Sequence, residues 1–162
     1  NQVWAGDITC VAAAKGWLYL AVVIDLYSRR IVGWSLARNM RAGLVVEALR
    51  QATETRRTEP GAIFHSDRGS QYGSGAFRAE LAGAGLRQSM SAKANPYDNA
   101  KTESFMGTLK REMLRGGEFE TLDDAKTEIF DYIECYYNTR RKHSSLGYLS
   151  PMRFEKQKTN LN

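Results

Sequence analysis

The sequence has few of the residues that build disulfide frameworks, zinc sites or membrane spans. Among its 162 residues are two cysteines, three prolines and two histidines. Cys10 and Cys135 lie far apart and form no CxxC pair, which argues against a disulfide framework and predicts reduced thiols in a cytoplasmic protein. His65 and His143 are too few and too separated for a zinc site of known spacing. No apolar run reaches the roughly 18 residues of a membrane-spanning helix, so we expect no membrane segment.

What the sequence does contain is the composition of one folded domain. Apolar residues make up 43% of the chain and charged residues 25%, and this length is enough to bury a core. The chain begins at Asn1 directly in strand-like sequence, without an initiator Met or a signal-type segment. We therefore interpret residues 1–162 as one domain of a longer protein whose N-terminal DNA-binding domains are missing.

The charge pattern weakly favours a polyanionic partner. The net charge is +5 and the isoelectric point is about 9.3. Residues 116–138 carry a net charge of −6, between two basic regions of +6 and +5. The acidic segment is typical of a solvated helix face. For the basic run at 140–143, which includes Arg141 and Lys142, contact with DNA phosphates and simple solvation are about equally supported.

Hydrophobic periodicity predicts an α/β fold with an antiparallel start. Period-two patterns rich in β-branched and aromatic residues predict strands over 3–11, 17–25 and 30–37. Apolar spacing of three and four predicts helices over 42–57, 74–84 and 97–115, and another in which Leu122, Ala125, Ile129, Ile133 and Tyr136 form the apolar stripe, with Thr121 as the N-cap. Short strands are predicted over 62–65 and 86–90, and a last helix opens at Pro151. The order β-β-β-α-β-α-β-α-α predicts a meander followed by βαβ crossovers.

Two aspartates, one inside a predicted strand and one directly after a predicted strand, are candidate ligands. Asp7 lies inside the first strand, on the face opposite Ile8, where a carboxylate is costly unless it is paired or bound to metal. Asp67 directly follows the strand predicted over 62–65. Each has an ordinary alternative: Asp7 as a residue on a half-exposed sheet face, and Asp67 as an Asx turn before Gly69.

A third carboxylate, Glu103, shares one face of the helix predicted over 97–115 with Asn99, Gly107 and Lys110. A carboxylate and a lysine on one stripe are common on a solvated face. Gly107 is less ordinary, because a glycine inside a helix costs about 1 kcal/mol relative to alanine and so indicates a close approach by backbone or ligand. Together, carboxylates from a strand, a strand end and a helix would supply the oxygen ligands that hard divalent cations require.

At this point the sequence resembles the catalytic core of bacterial insertion-sequence transposases, which are related to retroviral integrases and contain an Asp-Asp-Glu triad. Six segments carry the resemblance in order: WAGDIT (4–9), DLYSRRIVGW (25–34), HSDRGSQY (65–72), DNAKTESF (98–105), LKRE (109–112) and YNTRRKHSSLG (137–147). Between Asp67 and Glu103 lie 35 residues, the spacing that this family shows. Cys10 departs from the pattern, which has an aromatic residue soon after the first Asp.

The resemblance implies a ribonuclease-H-like fold: a five-stranded mixed sheet, three strands antiparallel and two parallel, with helices on both faces. It implies that Asp7, Asp67 and Glu103 are the catalytic residues and bind two Mg²⁺ or Mn²⁺ ions. The reaction would be cleavage and strand transfer of transposon DNA ends in the bacterial cytoplasm, at the nucleoid, by a homo-oligomer. Lys110 would contact the DNA, with Asn99 and His65 as secondary candidates. Asp25 has the spacing of a fourth carboxylate but is better interpreted as a turn residue outside the site.

Two other functions remain open from the sequence. A ribonuclease-H-like nuclease would cut without joining, and such enzymes often have a fourth carboxylate. A catalytically inactive core would bind DNA or partners without chemistry, although the presence of all three carboxylates argues against it. No helix-turn-helix is apparent in these residues, so we expect DNA binding by this domain to be weak, strongly salt-dependent and not sequence-specific.

Overall fold

A five-stranded mixed sheet forms the centre of the domain. The computed structural model describes residues 1–91, 100–114 and 117–159. The strands are β1 (Val3–Ala13), β2 (Gly16–Asp25), β3 (Ile31–Ala37), β4 (Ile63–Ser66) and β5 (Arg87–Met90), in the order β3-β2-β1-β4-β5. β1, β2 and β3 pair antiparallel, and β1-β4 and β4-β5 pair parallel. The predicted arrangement of three antiparallel and two parallel strands is confirmed.

Five α-helices accompany the sheet in the described part of the chain. They are α1 (Ala42–Thr55), α2 (Gly75–Gly83), α3 (Ala100–Leu109), α4 (Leu122–Phe130) and α5 (Pro151–Thr159). α3 continues as wider π-helical turns over Lys110–Leu114, and α4 continues in the same way over Asp131–Tyr137. A short 3₁₀ turn covers Ser144–Leu146. No helix in the described part of the chain is long and apolar enough to cross a membrane.

The sheet separates two hydrophobic clusters, so the helices lie on both of its faces as predicted. On one face Trp4, Val23 and Phe64 pack against α1 and α2. On the other face Ala5, Val11 and Leu20 pack against residues of α3, α4 and the π-helical turns after α4. The two faces alternate along β1, because successive side chains of a strand point in opposite directions. Odd-numbered residues of β1 therefore face the cluster with α3 and α4, and even-numbered residues face the cluster with α1 and α2.

Gly33 allows α1 to lie directly on β3. A Cβ atom at this position would be 2.8 Å from the backbone nitrogen of Ala52 and would also contact the carbonyl oxygen of Ala48. Backbone atoms cannot move aside as a flexible side chain can, so only glycine fits here. Gly33 belongs to the segment 25–34 that carried part of the family resemblance, and its role there is packing.

The helix bounds agree with the predictions, with one correction. Thr121 caps α4 through a hydrogen bond from the Asp124 backbone nitrogen. Tyr136, predicted on the apolar stripe, is 42% exposed, whereas Tyr137 is 2% exposed and packs in the core. The reason is the π-helical ending of α4: its wider turns shift the stripe by one residue relative to a 3.6-residue period. The predicted start of α3 at Tyr97 lies outside the described residues.

Candidate catalytic site

Asp7 lies on the face of β1 that α3 covers. It alternates in step with Ala5 and Val11, both of which belong to the cluster on that face, whereas Ile8 packs on the opposite side. The Asp7 Oδ1 atom accepts a hydrogen bond of 2.8 Å from the Ile8 backbone nitrogen. The carboxylate is half-buried. The predicted placement on the face opposite Ile8 is thus confirmed.

Asp67 directly follows the neighbouring strand β4, just beyond the point where β1 and β4 stop pairing. The β1-β4 ladder ends at the pair Ala5 and His65, so Asp7 and Asp67 each follow two residues beyond the last pair. Asp67 is exposed, and its Oδ1 atom accepts a hydrogen bond of 2.8 Å from the Gly69 backbone nitrogen. The predicted Asx turn is therefore present. The hydrogen bond uses Oδ1 only, so the turn and a ligand role for the Asp67 carboxylate are compatible.

The electrostatics of Asp7 link it to three other predicted residues. The pKa of the Asp7 carboxyl is raised to about 6, and burial is the largest cause. The backbone hydrogen bond from Ile8 and the charge of Lys110 lower this pKa, whereas the charges of Asp67 and Glu103 raise it. Glu103 and Lys110 are both exposed, in the first turn of α3 and in the π-helical turns after it. Because such effects decay with distance, the side chains of Asp67, Glu103 and Lys110 lie near Asp7.

The three carboxylates are neighbours but do not form a closed coordination shell. Among the residues that the structure describes, no group of three or more Asp, Glu, His or Cys side chains is close enough to hold a metal ion. Three like charges repel one another, and without a cation they are expected to spread. Their chemistry fits a hard divalent ion, which takes few carboxylate ligands and keeps water or phosphate oxygens in its remaining positions.

Tyr72 is a residue of this site that the sequence did not single out. It is 2% exposed, and its hydroxyl has no hydrogen-bond partner in the described part of the chain. Burial raises the pKa of Tyr72 well above its usual value, and the charges of Asp7 and Asp67 add to this effect. The ring packs against Phe64 and Phe77. An unpaired buried hydroxyl is unfavourable. Because the Tyr72 hydroxyl lies near two carboxylates, its missing hydrogen-bond partner fits a ligand that is bound only when the site holds metal ions or substrate.

Asp25 lies in a turn at the end of β2, and its place outside the site stays a prediction. It is buried, and its Oδ1 atom accepts a hydrogen bond of 2.8 Å from the Tyr27 backbone nitrogen. The backbone turns back at this point, with Arg29 donating to the Asp25 carbonyl. Asp25 is thus the turn residue that the sequence indicated.

Comparison with known proteins identifies the family. Residues 1–96 match the Integrase core domain family (rve), and residues 103–159 match a second Integrase core domain family (rve_2). The chain belongs to the integrase core domain family. The resemblance inferred from the six sequence segments is confirmed.

Two curated relatives show where this integrase core stands among bacterial proteins. It is 51% identical over 96% of its length to the transposase for insertion sequence element IS904 of Lactococcus lactis subsp. lactis (strain IL1403), of which it covers 62%. It is 49% identical over 96% of its length to the transposase InsF for insertion sequence IS3A of Escherichia coli (strain K12), of which it covers 54%. The chain thus spans about half to three fifths of the length of these relatives.

Solved structures confirm the ribonuclease-H-like fold of this integrase core. The catalytic core domain of HTLV-2 integrase, solved in complex with magnesium in a trimeric form, has a TM-score of 0.68 and 16% identity, with 95% of each chain covered. The catalytic core domain of BIV integrase has a TM-score of 0.68 and 17% identity, with 99% of each chain covered. At this level of identity the similarity shows the fold and not the function.

His65 and Asn99 are the secondary DNA-binding candidates of the integrase core, and the structure describes only His65. His65 lies on β4, and its two ring nitrogens are 3.0 Å and 3.1 Å from the hydroxyl oxygens of Ser89 and Ser91. These contacts fix the ring against β5, which leaves it few hydrogen bonds to offer a ligand. Asn99 lies outside the described residues. A role in DNA contact stays a prediction for both.

Arg141 and Lys142, the other two DNA-binding candidates, differ in whether a protein side chain pairs with them. Arg141 forms a two-pronged ion pair with Glu112, with Nε and Nη2 2.9 Å and 2.8 Å from Oε1, and Tyr132 donates a further hydrogen bond to Oε2 of that carboxylate. Although burial raises the pKa of Glu112, these contacts lower it below the usual value. Lys142 is exposed and forms no ion pair with a described residue. Lys142 is therefore the better candidate for DNA contact, and Arg141 holds the loop against the end of α3.

Gly107 has more open space than the sequence suggested. Outside its own helix backbone, the only described atoms within 4 Å of a Cβ placed there belong to the Arg111 guanidinium, the nearest at 3.4 Å. The close approach by protein backbone that the sequence indicated is thus absent from the described residues. What remains is an open strip of helix surface between Glu103 and Lys110.

The raised pKa of Asp7 predicts an unusual pH dependence of stability. Because the carboxyl binds its proton more tightly in the folded state, its contribution is fully present below pH 3.8 and is lost as the pH rises through about 6. The difference corresponds to about 3 kcal/mol at pH 7. In EDTA we expect Asp7→Asn to be more stable than the wild type at pH 7, by up to about 3 kcal/mol, since the Asn Oδ1 can keep the bond from Ile8.

This prediction is checked by urea unfolding of both proteins between pH 4 and pH 8. The stability advantage of Asp7→Asn should be small at pH 4 and should grow until about pH 7. Glu120→Gln, which removes an exposed carboxylate elsewhere, should follow the wild type at every pH. An advantage that is independent of pH would show that the Asp7 charge is not the cause.

Proposed function

We propose that this integrase core is the catalytic domain of a DNA transposase, which cleaves phosphodiesters at transposon ends and joins the ends to target DNA. Asp7, Asp67 and Glu103 would be the catalytic residues and the ligands of two Mg²⁺ or Mn²⁺ ions. The observation that carries the proposal is the electrostatic state of Asp7, a half-buried carboxylate that experiences the charges of both other carboxylates. A protein keeps such repulsion mainly where a cation or a reaction requires it.

The curated relatives support the reaction class. Both are transposases by name, and they share about half of their residues with this chain over nearly its whole length. The magnesium in the HTLV-2 core structure supports a divalent ion for the three carboxylates. The trimeric form of that structure, and a simian T-cell lymphotropic virus intasome with a TM-score of 0.72 at 16% identity, agree with a homo-oligomer as the active species.

In this reaction the residues of the chain hold and orient the DNA. When bound, the metal ions would activate the attacking oxygen and stabilise the leaving oxygen of an in-line displacement. Asp7 and Asp67 would provide ligands from the fixed end of the sheet, and Glu103 would provide one from α3. Lys110 would neutralise a phosphate next to the reacting one. In the first step water would attack phosphorus and displace the 3′ oxygen, which leaves as the 3′-hydroxyl of the transposon end. In the second step that 3′-hydroxyl would attack the phosphorus of a target phosphodiester, so that a new bond joins the end to the target 5′ phosphate and the target 3′ oxygen leaves as a hydroxyl.

The experiment is a strand-transfer assay with the full-length protein that contains this core. A duplex with a recessed 3′-hydroxyl end and a supercoiled plasmid target would be incubated with Mg²⁺, Mn²⁺, Ca²⁺ or EDTA. Covalent joining with Mg²⁺ or Mn²⁺, and none with EDTA, is the expected result. Cleavage without any joined product would favour a ribonuclease-H-like nuclease. An absence of both, with DNA binding retained, would favour an inactive DNA-binding core.

Recognition of the transposon ends would depend on other parts of the protein. The described part of this chain contains no helix-turn-helix arrangement, and its basic residues are suited to backbone contacts. We propose that domains preceding residue 1 in the full-length protein read the end sequence. The isolated domain should then bind random and end-sequence duplexes equally, and its affinity should fall steeply between low and high salt. Tight binding that is specific for the end sequence would refute this division of roles.

A further inference from the structure

A groove of about 410 Å³ lies beside the candidate catalytic site, between α3 and the loop that follows α4. We call it the Tyr148 groove. Its walls include Ser104, Thr108 and Arg111 on the α3 side, and Lys142, His143 and Tyr148 on the loop side. Ser104 directly follows Glu103 in α3, so the groove lies along the helix face adjacent to the one that carries Glu103.

The groove is positively charged. Arg111 and Lys142 are exposed at its edges, and neither forms an ion pair with a described residue. The nearby carboxylate of Glu112 is already neutralised by Arg141, 2.8 Å away. The Glu112–Arg141 pair therefore fixes the wall of the groove without cancelling its charge. Two free cations beside a line of hydroxyl groups are the donors that bind a phosphate.

Tyr148 adds an aromatic surface in a strained conformation. Its side chain is 70% exposed, and its backbone has φ of 60°. The left-handed region is unfavourable for a residue with a Cβ atom, and glycine would adopt it without strain. Gly147 has φ of 64°, and the turn is closed by a hydrogen bond of 2.9 Å from the Tyr148 nitrogen to the His143 carbonyl. Neither packing nor backbone geometry explains a tyrosine here, because most of its ring contacts no protein.

His143 is a buried residue of the groove wall with one ring nitrogen that is unpaired in the described part of the chain. It is 7% exposed, and Arg141 Nη1 lies 3.4 Å from its Nδ1. Arginine only donates, so Nδ1 accepts and the proton of the neutral ring is assigned to Nε2. Nε2 has no partner among the residues the structure describes. Burial lowers the pKa of His143 to about 4, so the ring is neutral at pH 7.

We propose that the Tyr148 groove binds one unpaired nucleotide of DNA. The base stacks on the exposed Tyr148 ring, and the adjoining phosphate lies between Arg111 and Lys142. A single-stranded nucleotide fits better than a duplex, because the bases of a duplex are already stacked and present no face to an aromatic side chain. The inference rests on the proposed function: it places a single-stranded stretch of the DNA next to Glu103, where the reacting phosphodiester would lie.

The test measures binding of a duplex that has a short thymine overhang with a single 2-aminopurine, and of the matching blunt duplex. Both are added to the full-length protein in Ca²⁺, and binding is measured by fluorescence. Stacking on Tyr148 quenches 2-aminopurine. We expect Tyr148→Ala to abolish the quenching and to weaken overhang binding about 5- to 150-fold, as the loss of one stacked base predicts. Tyr148→Phe keeps the ring and should retain both.

Tyr148→Gly separates a binding role from a structural one. Glycine removes the left-handed strain and loses little buried surface, so its Tm should equal or exceed that of the wild type. Overhang binding should nevertheless fall as far as in Tyr148→Ala. The matched control is Trp17→Ala, which removes an aromatic side chain that is 58% exposed outside the groove. It should leave overhang binding and quenching unchanged.

Three results would overturn the proposal: wild-type quenching in Tyr148→Ala, an equal loss of blunt-duplex and overhang binding, or the same loss in Trp17→Ala. These readouts do not depend on chemistry. In the strand-transfer assay, an active Asp67→Asn protein would refute the proposed function and would leave the stacking result intact. Conversely, unquenched 2-aminopurine with normal strand transfer would refute only the nucleotide site.

Discussion

Replacing Asp67 with Asn should lower strand transfer by the full-length protein on the order of a thousandfold, without unfolding it. The loss follows from removing one anionic ligand of the proposed ions, which contribute several kcal/mol to stabilising the transition state. The fold should persist, since Asp67 is exposed and the Asn Oδ1 can still accept the hydrogen bond from the Gly69 nitrogen. The measurement is the initial rate of joining in Mg²⁺, together with the Tm of each protein.

Two comparisons make this result specific. Glu120→Gln removes an exposed carboxylate outside the site and should keep the wild-type rate. Addition of Mg²⁺ in the absence of DNA should raise the Tm of the wild type more than that of Asp67→Asn, since a ligand stabilises the state that it binds. If Asp67→Asn joined DNA at the wild-type rate, the three-carboxylate site would be wrong. If its Tm in EDTA fell sharply, the loss of activity would have a structural cause.

The sheet could be predicted from the sequence because its signal is local. The residues of β1, β2 and β3 alternate and are rich in β-branched types, and their connections are short, so the antiparallel meander follows from the chain order. The parallel pairing of β4 and β5 follows from the intervening helices, since a crossover returns the chain in the same direction. These features depend on neighbouring residues, and the predicted bounds differ from the observed ones by one or two positions.

The ends of α3 and α4 could not be predicted in the same way. Both helices widen into π-helical turns, and at the end of α4 the Asn138 nitrogen donates to the carbonyl of Ile133, five residues earlier. A pattern based on 3.6 residues per turn placed Tyr136 in the core. The packing of Tyr137 against Phe105, with ring centroids 4.8 Å apart, depends on a contact between two helices, which periodicity within one helix does not contain.

In the candidate site, too, some residues could be predicted from the sequence, whereas others depend on tertiary contacts. The carboxylates Asp7, Asp67 and Glu103 were found by their residue type, spacing and family context. The contacts of two other residues could be seen only in the three-dimensional structure, because their partners are distant in sequence. Tyr72 lies 65 positions after Asp7, and Arg141 pairs with Glu112, 29 positions away. Sequence alone gave no reason to separate Arg141 from Lys142, since both belong to one basic run. The difference depends on a tertiary partner that only one of them has.

Asn138 shows how a residue in a family segment can be structural, and replacing it with Ala should destabilise the fold by about 2–6 kcal/mol. The side chain is fully buried, with 0% exposure. Its Oδ1 atom accepts a hydrogen bond of 3.0 Å from the Ile31 nitrogen, and its Nδ2 atom donates one of 2.9 Å to the Ile31 carbonyl. Alanine would leave both buried backbone groups without partners, at about 1–3 kcal/mol each.

The measurement is the Tm and the urea midpoint of Asn138→Ala, with an expected fall in Tm of about 5–20 °C. Asn39→Ala, at an exposed position between β3 and α1, is the matched control and should shift Tm by no more than about 2 °C. Because Asn138 ties the end of α4 to β3, its loss should also loosen the loop that carries Lys142 and Tyr148, and overhang binding should weaken even at temperatures where the protein remains folded. Wild-type stability in Asn138→Ala would show that the two hydrogen bonds from Asn138 to β3 contribute little to folding.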